Sequence, residues 1–292
     1  MEACFRVTIC RMTYIWLLGL GLIFGSFCNA VIWRLHEQQE RSASKKRKSD
    51  HRDLSIVTGR SICTHCGHVL SAWDLIPVVS YIWLRGKCRY CHKRIEDTPL
   101  PEILLPLLFA GSYIWWPYGF GASTIDFSKI MFGIWLLALV GFVILALYDL
   151  RWYLLPDRVV FPVIGLAGLS VLVQLLFSQD KLTVLATAAW GILLTAGLFY
   201  ALYMVSKGTW IGFGDVKLAI ALGLFVGGPV NALLLIFIAS LSGSLAAIPL
   251  LVQGKPVHTT RIPFGPFLLL STVLVMLFGS ALSTWYMSLL IR

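Results

Sequence analysis

Apolar positions along this chain come in long unbroken runs instead of alternating with polar ones. Crossing a bilayer as a helix takes about 20 apolar residues. Runs of that kind fall near 13–33, 100–118, 130–148, 159–178, 183–205, 230–252 and 266–290. An eighth, 216–228, reaches spanning length only if Gly212-Phe213-Gly214-Asp215 is counted with it, which puts Asp215 at the membrane edge. The pattern predicts an all-α polytopic membrane protein with about eight transmembrane helices. It divides into a first transmembrane helix (13–33), a polar loop domain (34–99) and a membrane domain (100–292).

Composition removes the soluble alternatives. The chain is 58% hydrophobic, has a mean hydropathy of +0.81 and carries 13% charged residues, against about 25% in soluble domains. A net charge of +10 could point to nucleic acid, but its distribution reads as topology, and no nucleic-acid partner is expected. Thirteen of the 24 Lys and Arg lie between Arg34 and Arg94, which makes that loop cytoplasmic and the N-terminus external. Arg151, Arg158, Lys207, Lys217, Lys255 and Arg261 then fall inside, and Asp149 and Asp215 share the cytoplasmic side. The first run is not a secretion signal. It lacks a small-residue cleavage site and ends in the polar-marked stretch Gly25-Ser26-Phe27-Cys28-Asn29-Ala30-Val31-Ile32-Trp33-Arg34.

The loop domain opens with 38–53, rich in Lys, Arg, Ser and Glu, which predicts a solvated, flexible basic insertion. Its Lys45-Lys46-Arg47-Lys48 could touch anionic headgroups. Next come Cys63-Thr64-His65-Cys66 and Cys88-Arg89-Tyr90-Cys91, two CxxC pairs with 21 residues between them. That spacing predicts a four-thiolate zinc site of Cys63, Cys66, Cys88 and Cys91. Two disulfides are the rival, disfavoured in a reducing cytoplasmic loop. Four thiolates close the metal's shell, so the zinc would be structural, with His65, His68 and His92 bystanders. Cys4, Cys10 and Cys28 read as ordinary apolar residues. Between the pairs, 73–84 is too short to span and should fold over the metal or lie on the membrane surface.

Charge beside long apolar runs needs a reason. The glycines around Phe213 allow Asp215 to be presented at a helix start, and a second acid should meet it. Asp157, behind Pro156, is explained as an N-cap. Asp149 sits at a helix C-terminus, where the dipole disfavours an anion, and that unfavourable place marks it as the functional partner. Lys217 either biases the pair by stabilising a nearby anion or snorkels to the headgroups. Glu102 reads as a dipole partner at a helix start. Ala239, Ser240, Gly243, Ser244 and Ala247 form a small-residue packing face, and Arg261-Ile262-Pro263-Phe264-Gly265-Pro266-Phe267 lines the site or shapes the turn.

Taken together, these segments resemble the type IV prepilin peptidases, membrane aspartic proteases of the GxGD class. The resemblance rests on Gly25, Ser26, Phe27, Asn29, Ile32 and Arg34; on the paired CxxC loop with its Leu75-Ile76-Pro77 and Ser80; on Asp149 followed by Leu155-Pro156-Asp157; on Gly212-Phe213-Gly214-Asp215-Val216-Lys217; and on 262–267. It implies a catalytic pair, Asp149 and Asp215, supported by Gly212, Gly214 and Lys217. It implies cleavage of prepilin or pseudopilin leaders after a glycine at the cytoplasmic face of a bacterial inner membrane. It further implies N-methylation of the new N-terminus with S-adenosylmethionine, Gly86 and Glu102 being the candidates on the donor side. Four alternatives remain at this point: a peptidase that does not methylate, a related GxGD peptidase without the cysteine loop, a transporter that handles ions or metals, and an assembly factor for a secretion machine, marked by the absence of turnover.

Overall fold

The computed structural model describes residues 2–43, 55, 59–95, 98–120, 126–252 and 262–290, with the backbone alone at 2–11, 43, 250–252, 286–287 and 289–290. The chain forms two compact units, Met1–Ile114 and Trp115–Arg292. Among the described residues every long element is a helix, and there is no strand.

In the first unit, α1 (Glu2–Ala43) is a single helix of 42 residues, about 63 Å at 1.5 Å per residue. Its apolar portion is continued by Glu37, Gln38, Gln39, Glu40 and Arg41, all good helix formers. One-turn pairs reinforce them: Arg41 Nε with Glu37 at 3.3 Å and His36 Nε2 with Glu40 at 3.6 Å. The stretch expected to be a flexible insertion from residue 38 is therefore helical as far as Ala43, and 44–53 lie outside the described residues. So do Asp97, Lys255 and Arg261, and the side chains of Cys4 and Cys10; Cys28 is fully buried.

Against α1 lies α3 (Leu100–Ile114). Gly21 and Gly25, four residues apart, present bare backbone to it. A Cβ at Gly21 would stand 2.5 Å from Pro106 Cα, and one at Gly25 would stand 2.5 Å from Glu102 Cα. The loop between them holds a 3₁₀ turn (Ala72–Leu75) and the short α2 (Val79–Trp83), from which Trp73, Ile82 and Trp83 project well exposed.

The second unit is a helical bundle built on α4 (Phe127–Trp152) and α8 (Phe213–Val226). Around them stand α5 (Asp157–Phe177), α6 (Lys181–Ile192), α7 (Leu198–Ser206), α9 (Pro229–Val252) and α10 (Gly265–Leu290). A π-helical turn, Leu193–Gly197, joins α6 to α7. Trp135 and Phe142 of α4 meet Phe225 of α8 edge-on, each with ring centres 5.9 Å apart. Where α6 crosses α8, a Cβ on Gly191 would lie 2.2 Å from the Gly223 carbonyl oxygen, and Thr195 Oγ1 donates to the carbonyls of Gly191 and Ala219.

The sequence predicts about eight crossings, whereas six of the described helices are long and apolar enough to cross a membrane. The two that fall short are α3 and α8, of 15 and 14 residues, about 22 and 21 Å long at 1.5 Å per residue. In α8, Leu218, Ala219, Ala221 and Leu222 are all fully buried, so its apolar run reflects burial among other helices. It stops at Gly227 and Gly228, both at positive φ, where the Gly228 N–H donates to the Thr187 carbonyl.

A test of the α1–α3 crossing follows from its geometry. Gly25→Ala puts a methyl group onto backbone that cannot swing away and should cost about 1–3 kcal/mol, seen as a lowered thermal midpoint of the detergent-solubilised protein. Gly19→Ala, on the same helix with nothing within 4 Å of its Cβ position, should leave the midpoint in place. Equal midpoints for both variants would show that the crossing does not depend on the glycine.

Candidate functional site

Three separated segments of the second unit meet around two acids. Asp149 lies in the last turn of α4, which ends at Tyr153 in a left-handed conformation whose N–H donates to the Asp149 carbonyl. Its carboxylate is almost wholly buried, at 6% exposure. The donor that this helix end cannot supply comes from α10, whose first residue, Gly265, gives its N–H to Asp149 Oδ2 at 3.1 Å. The positive end of a 26-residue helix therefore faces a carboxylate placed at the negative end of another. A side chain at 265 would collide with it, since a Cβ there would stand 2.6 Å from the same oxygen.

Asp215 lies in the first turn of α8, half-buried, its N–H donating to the Gly212 carbonyl at 3.1 Å. Gly212 has extended backbone and caps the helix. Its open side is approached by Asp215 Oδ2, 3.7 Å from where a Cβ would be. The two carboxylates lie within electrostatic reach of one another. Leu155 wedges beneath them. Its side chain is 3.2 Å from the Cβ position of Gly214 and 3.5 Å from that of Gly265, so the segment after α4 touches both the GxGD turn and the start of α10.

Lys217 points elsewhere. Its Nζ donates to both carboxylate oxygens of Asp157, at 2.8 and 2.9 Å, and lies over the rings of Phe213 and Phe161 at 5.3 and 5.6 Å. The N-cap of α5 is Pro156, and Asp157 makes no side-chain cap, so the N-cap explanation of this acid gives way to an ion pair with Lys217. That pair ties the start of α5 to the start of α8. Gly243 faces Phe264 and Phe267, while Ser240 and Ser244 point outward, so the small-residue face of α9 is only partly a packing face.

In the first unit, the sulfurs of Cys63, Cys66, Cys88 and Cys91 lie within 4.8 Å of one another and could hold a metal ion. Two equivalent turns deliver them. The N–H of Cys63 bonds the His68 carbonyl and that of Gly67 the Cys63 carbonyl; in the second turn, Cys88 bonds Lys93 and His92 bonds Cys88 in the same way. Gly67 and His92, both at positive φ, close the turns. Burial raises the Cys63 thiol, but hydrogen bonds from the backbone of Cys66 and His65, and with the sulfurs of Cys66 and Cys88, outweigh it and bring it down to about 7. At Cys91 a backbone hydrogen bond from Lys93 lowers the thiol, yet burial and hydrogen bonds to its three sulfur neighbours push it up to about 11. Asp74 braces the cluster. Burial raises its carboxyl, and hydrogen bonds from Ser71 and from Arg89 Nε, at 2.7 Å, hold it below the usual range.

Gly86, at φ +67°, makes the turn into the second pair, its N–H donating to the Tyr81 carbonyl. Glu102 takes the Val78 N–H at 2.6 Å and lines a cavity of about 180 Å³ beside the cysteines.

Residues 20–116 match the bacterial peptidase A24 N-terminal domain, and residues 135–248 match the type IV leader peptidase family. The chain is 31% identical over 277 residues to a prepilin leader peptidase/N-methyltransferase of Pseudomonas aeruginosa, covering 92% of this chain and 91% of that one. Proteins of the same name from Aeromonas hydrophila, at 30%, and Legionella pneumophila, at 31%, match over at least 91% of both chains. This chain belongs to the type IV leader peptidase family. No solved structure matches this leader peptidase.

Sequence reasoning selected both acids of the leader peptidase and its four cysteines. It placed Gly265 in a segment, 261–267, expected to line the site or shape the turn, without foreseeing its amide as the donor to Asp149, and it did not find Leu155 as part of the same site or Asp157 as the partner of Lys217. A glycine between two prolines-rich turns was the available signal for Gly265, since Ile262-Pro263-Phe264-Gly265-Pro266 fixes a helix start. For the cysteine cluster, the expected result is about one divalent ion per chain in the purified leader peptidase, measured by elemental analysis, and its loss in Cys63→Ser and Cys88→Ser. Full occupancy in both variants would remove the cluster as the site.

Proposed function

We propose that this leader peptidase is an aspartic endopeptidase that removes the basic leader of type IV prepilins or pseudopilins after a glycine, at the cytoplasmic face of a bacterial inner membrane. Asp149 and Asp215 are the catalytic pair. The observation that carries the proposal is the convergence of the end of α4, the GxGD start of α8 and the amide of Gly265 around two acids.

Two carboxylates brought together do not both ionise cheaply, so the pair works with one proton between them. The ionised member takes a proton from water as the water oxygen attacks the scissile carbonyl carbon. The protonated member gives its proton to the carbonyl oxygen. Collapse of the tetrahedral species breaks the C–N bond, and the amine leaves with a proton returned by the pair. Gly265 holds Asp149 through the cycle with a dipole and not a charge, so no fixed ion pair has to be broken for the proton to move.

The second activity is N-methylation of the new N-terminus, with the first unit as its seat. Zinc is the metal for the four cysteines: four thiolates around a centre with bonds of about 2.3 Å would stand about 3.8 Å apart, and Cys63 and Cys91 are 3.8 Å apart. With its shell closed, the ion would hold the loop in shape. S-adenosylmethionine supplies an activated methyl group when bound, and the cavity beside the cysteines, with Trp33, Tyr81 and Glu102 in its wall, is where this chain would hold it.

With a prepilin co-expressed, Asp149→Asn and Asp215→Asn should each abolish leader removal by mass spectrometry while the protein stays in the membrane at wild-type level. Asp157→Asn should keep most of the activity. Substantial cleavage by either of the first two variants would remove the assignment. Gly265→Ala should reduce cleavage by about tenfold or more, since displacing the carboxylate from its donor need lose only about 1.4 kcal/mol of transition-state stabilisation to do so. An unchanged rate would show that the Gly265 contact is dispensable.

A further inference from the structure

The loop between α1 and α3 turns a strip of large apolar side chains outward. In α2, Val79, Ile82 and Trp83 fall on one face by their spacing of three and four residues. All three are exposed, Ile82 by 69% and Trp83 by 81%. Trp73, at 73%, and Leu75 project from the 3₁₀ turn that packs beside α2. The other side of α2 is occupied, since Ser80, Tyr81 and Leu84 line the cavity next to the cysteines. The short helix thus has the cavity on one side and a bare apolar face on the other, and a cluster of uncovered large apolar side chains marks an interaction surface.

What covers that face follows from the depth at which α2 is held. Between Arg11 and Arg34, α1 carries no charged residue, a run about 33 Å long at 1.5 Å per residue, close to the ~30 Å of a hydrocarbon core. Gly25 lies inside this run, about 13 Å before Arg34. A Cβ there would stand 2.5 Å from Glu102 Cα, so the first turn of α3 is level with Gly25. One turn further along α1, Asn29 Nδ2 donates to the Thr98 carbonyl at 3.2 Å and fixes the chain as it enters α3. Glu102 Oε2 in turn takes the N–H of Val78, the N-cap of α2, at 2.6 Å. α2 therefore starts beside the apolar run and not among the charges that follow it. At that level Ile23 and Phe27 of α1 and Leu100 and Ile103 of α3 are exposed as well, the pattern of helices facing lipid. A helix of 5 residues cannot cross a bilayer, so it belongs at the boundary. Tryptophan rings settle at the headgroup level, and Arg85 and Lys87, exposed just after α2 in the chain, suit the anionic phosphates found there.

We propose that α2 and the 3₁₀ turn before it are seated in the interfacial layer of the bilayer, with Trp73, Val79, Ile82 and Trp83 against lipid. The inference goes beyond the peptidase reading and does not depend on it. Its consequence is that the cavity, with Cys63 and Cys88 in its wall, is held at the membrane surface behind α2, within reach of a chain end that leaves the bilayer.

The test uses the full-length wild-type protein in lipid nanodiscs, so it does not hang on the folding of a variant. Phospholipids with a diazirine on the acyl chain are photolysed, and the adducts are located by fragment masses. The same preparation is oxidised with hydroxyl radicals, each side chain being compared with itself in the denatured protein. Trp16, on the apolar run of α1, is the internal standard, because at 68% exposure it is about as open as Trp73 and Trp83 in the protein itself. We expect lipid adducts on Val79, Ile82 or Trp83 as on Ile23. We also expect a loss of radical reactivity at Trp73 and Trp83 equal to that at Trp16, while Tyr90 and His92, exposed in the second cysteine turn, stay reactive. Absence of adducts with full reactivity leaves the face in water. Absence of adducts with lost reactivity puts protein over it, whether the second unit or another copy of the chain. Either outcome overturns the proposal.

Discussion

A buried carboxylate at the closing end of a helix has the local dipole against it, and the second unit depends on how that is resolved. The Gly265 amide, 116 residues further along the chain, reaches Asp149 from the opening end of α10. This one hydrogen bond fixes the direction of the acid, requires residue 265 to have no side chain and orients the start of α10 against the end of α4. Leu155 occupies the space that the missing side chains of Gly214 and Gly265 leave. The backbone thus approaches the carboxylate because glycines permit it, and an ordinary leucine packs against both of them.

Bare backbone does the same work away from the acids. Within lipid no hydrophobic gain drives one helix onto another, and close van der Waals contact with a few interhelical hydrogen bonds must serve instead. Gly21 and Gly25 allow α1 to touch the backbone of α3, and Gly191 with Gly223 allows α6 to touch α8. At the second crossing Thr195 adds a hydrogen bond to the Ala219 carbonyl, one turn along α8 from Asp215. It does so from a π-helical turn, where the extra residue shifts the side chains that follow.

The features legible in the sequence were those written locally. Runs of apolar residues gave the helices, paired CxxC spacings gave the cysteine cluster, and charges at the ends of apolar runs gave Asp149 and Asp215. What could not be read depended on partners far away in the chain. A 14-residue apolar run such as α8 looks like a shortened crossing, because hydropathy cannot distinguish contact with lipid from contact with other helices. Asp157 has the sequence context of an N-cap, and only the arrival of Lys217, 60 residues later, gives it another partner. Nothing in the pattern near Val78 shows that Glu102, 24 residues later, would take its N–H.

The pairing of Lys217 also bears on how two acids can share a site in an apolar protein. A lysine two residues after Asp215 on the same helix faces away from it, so Lys217 is not placed to hold that carboxylate as a fixed anion. Lys217 is committed to both oxygens of Asp157 instead, with Phe213 and Phe161 against its ammonium group. No counter-charge is then drawn from that side onto the acids, and Asp149 is held by a backbone dipole. Dipoles orient a carboxylate without binding it as one half of an ion pair. A pair held in this way takes up charge one member at a time, and this is the condition under which one carboxylate can act as base while its neighbour acts as acid.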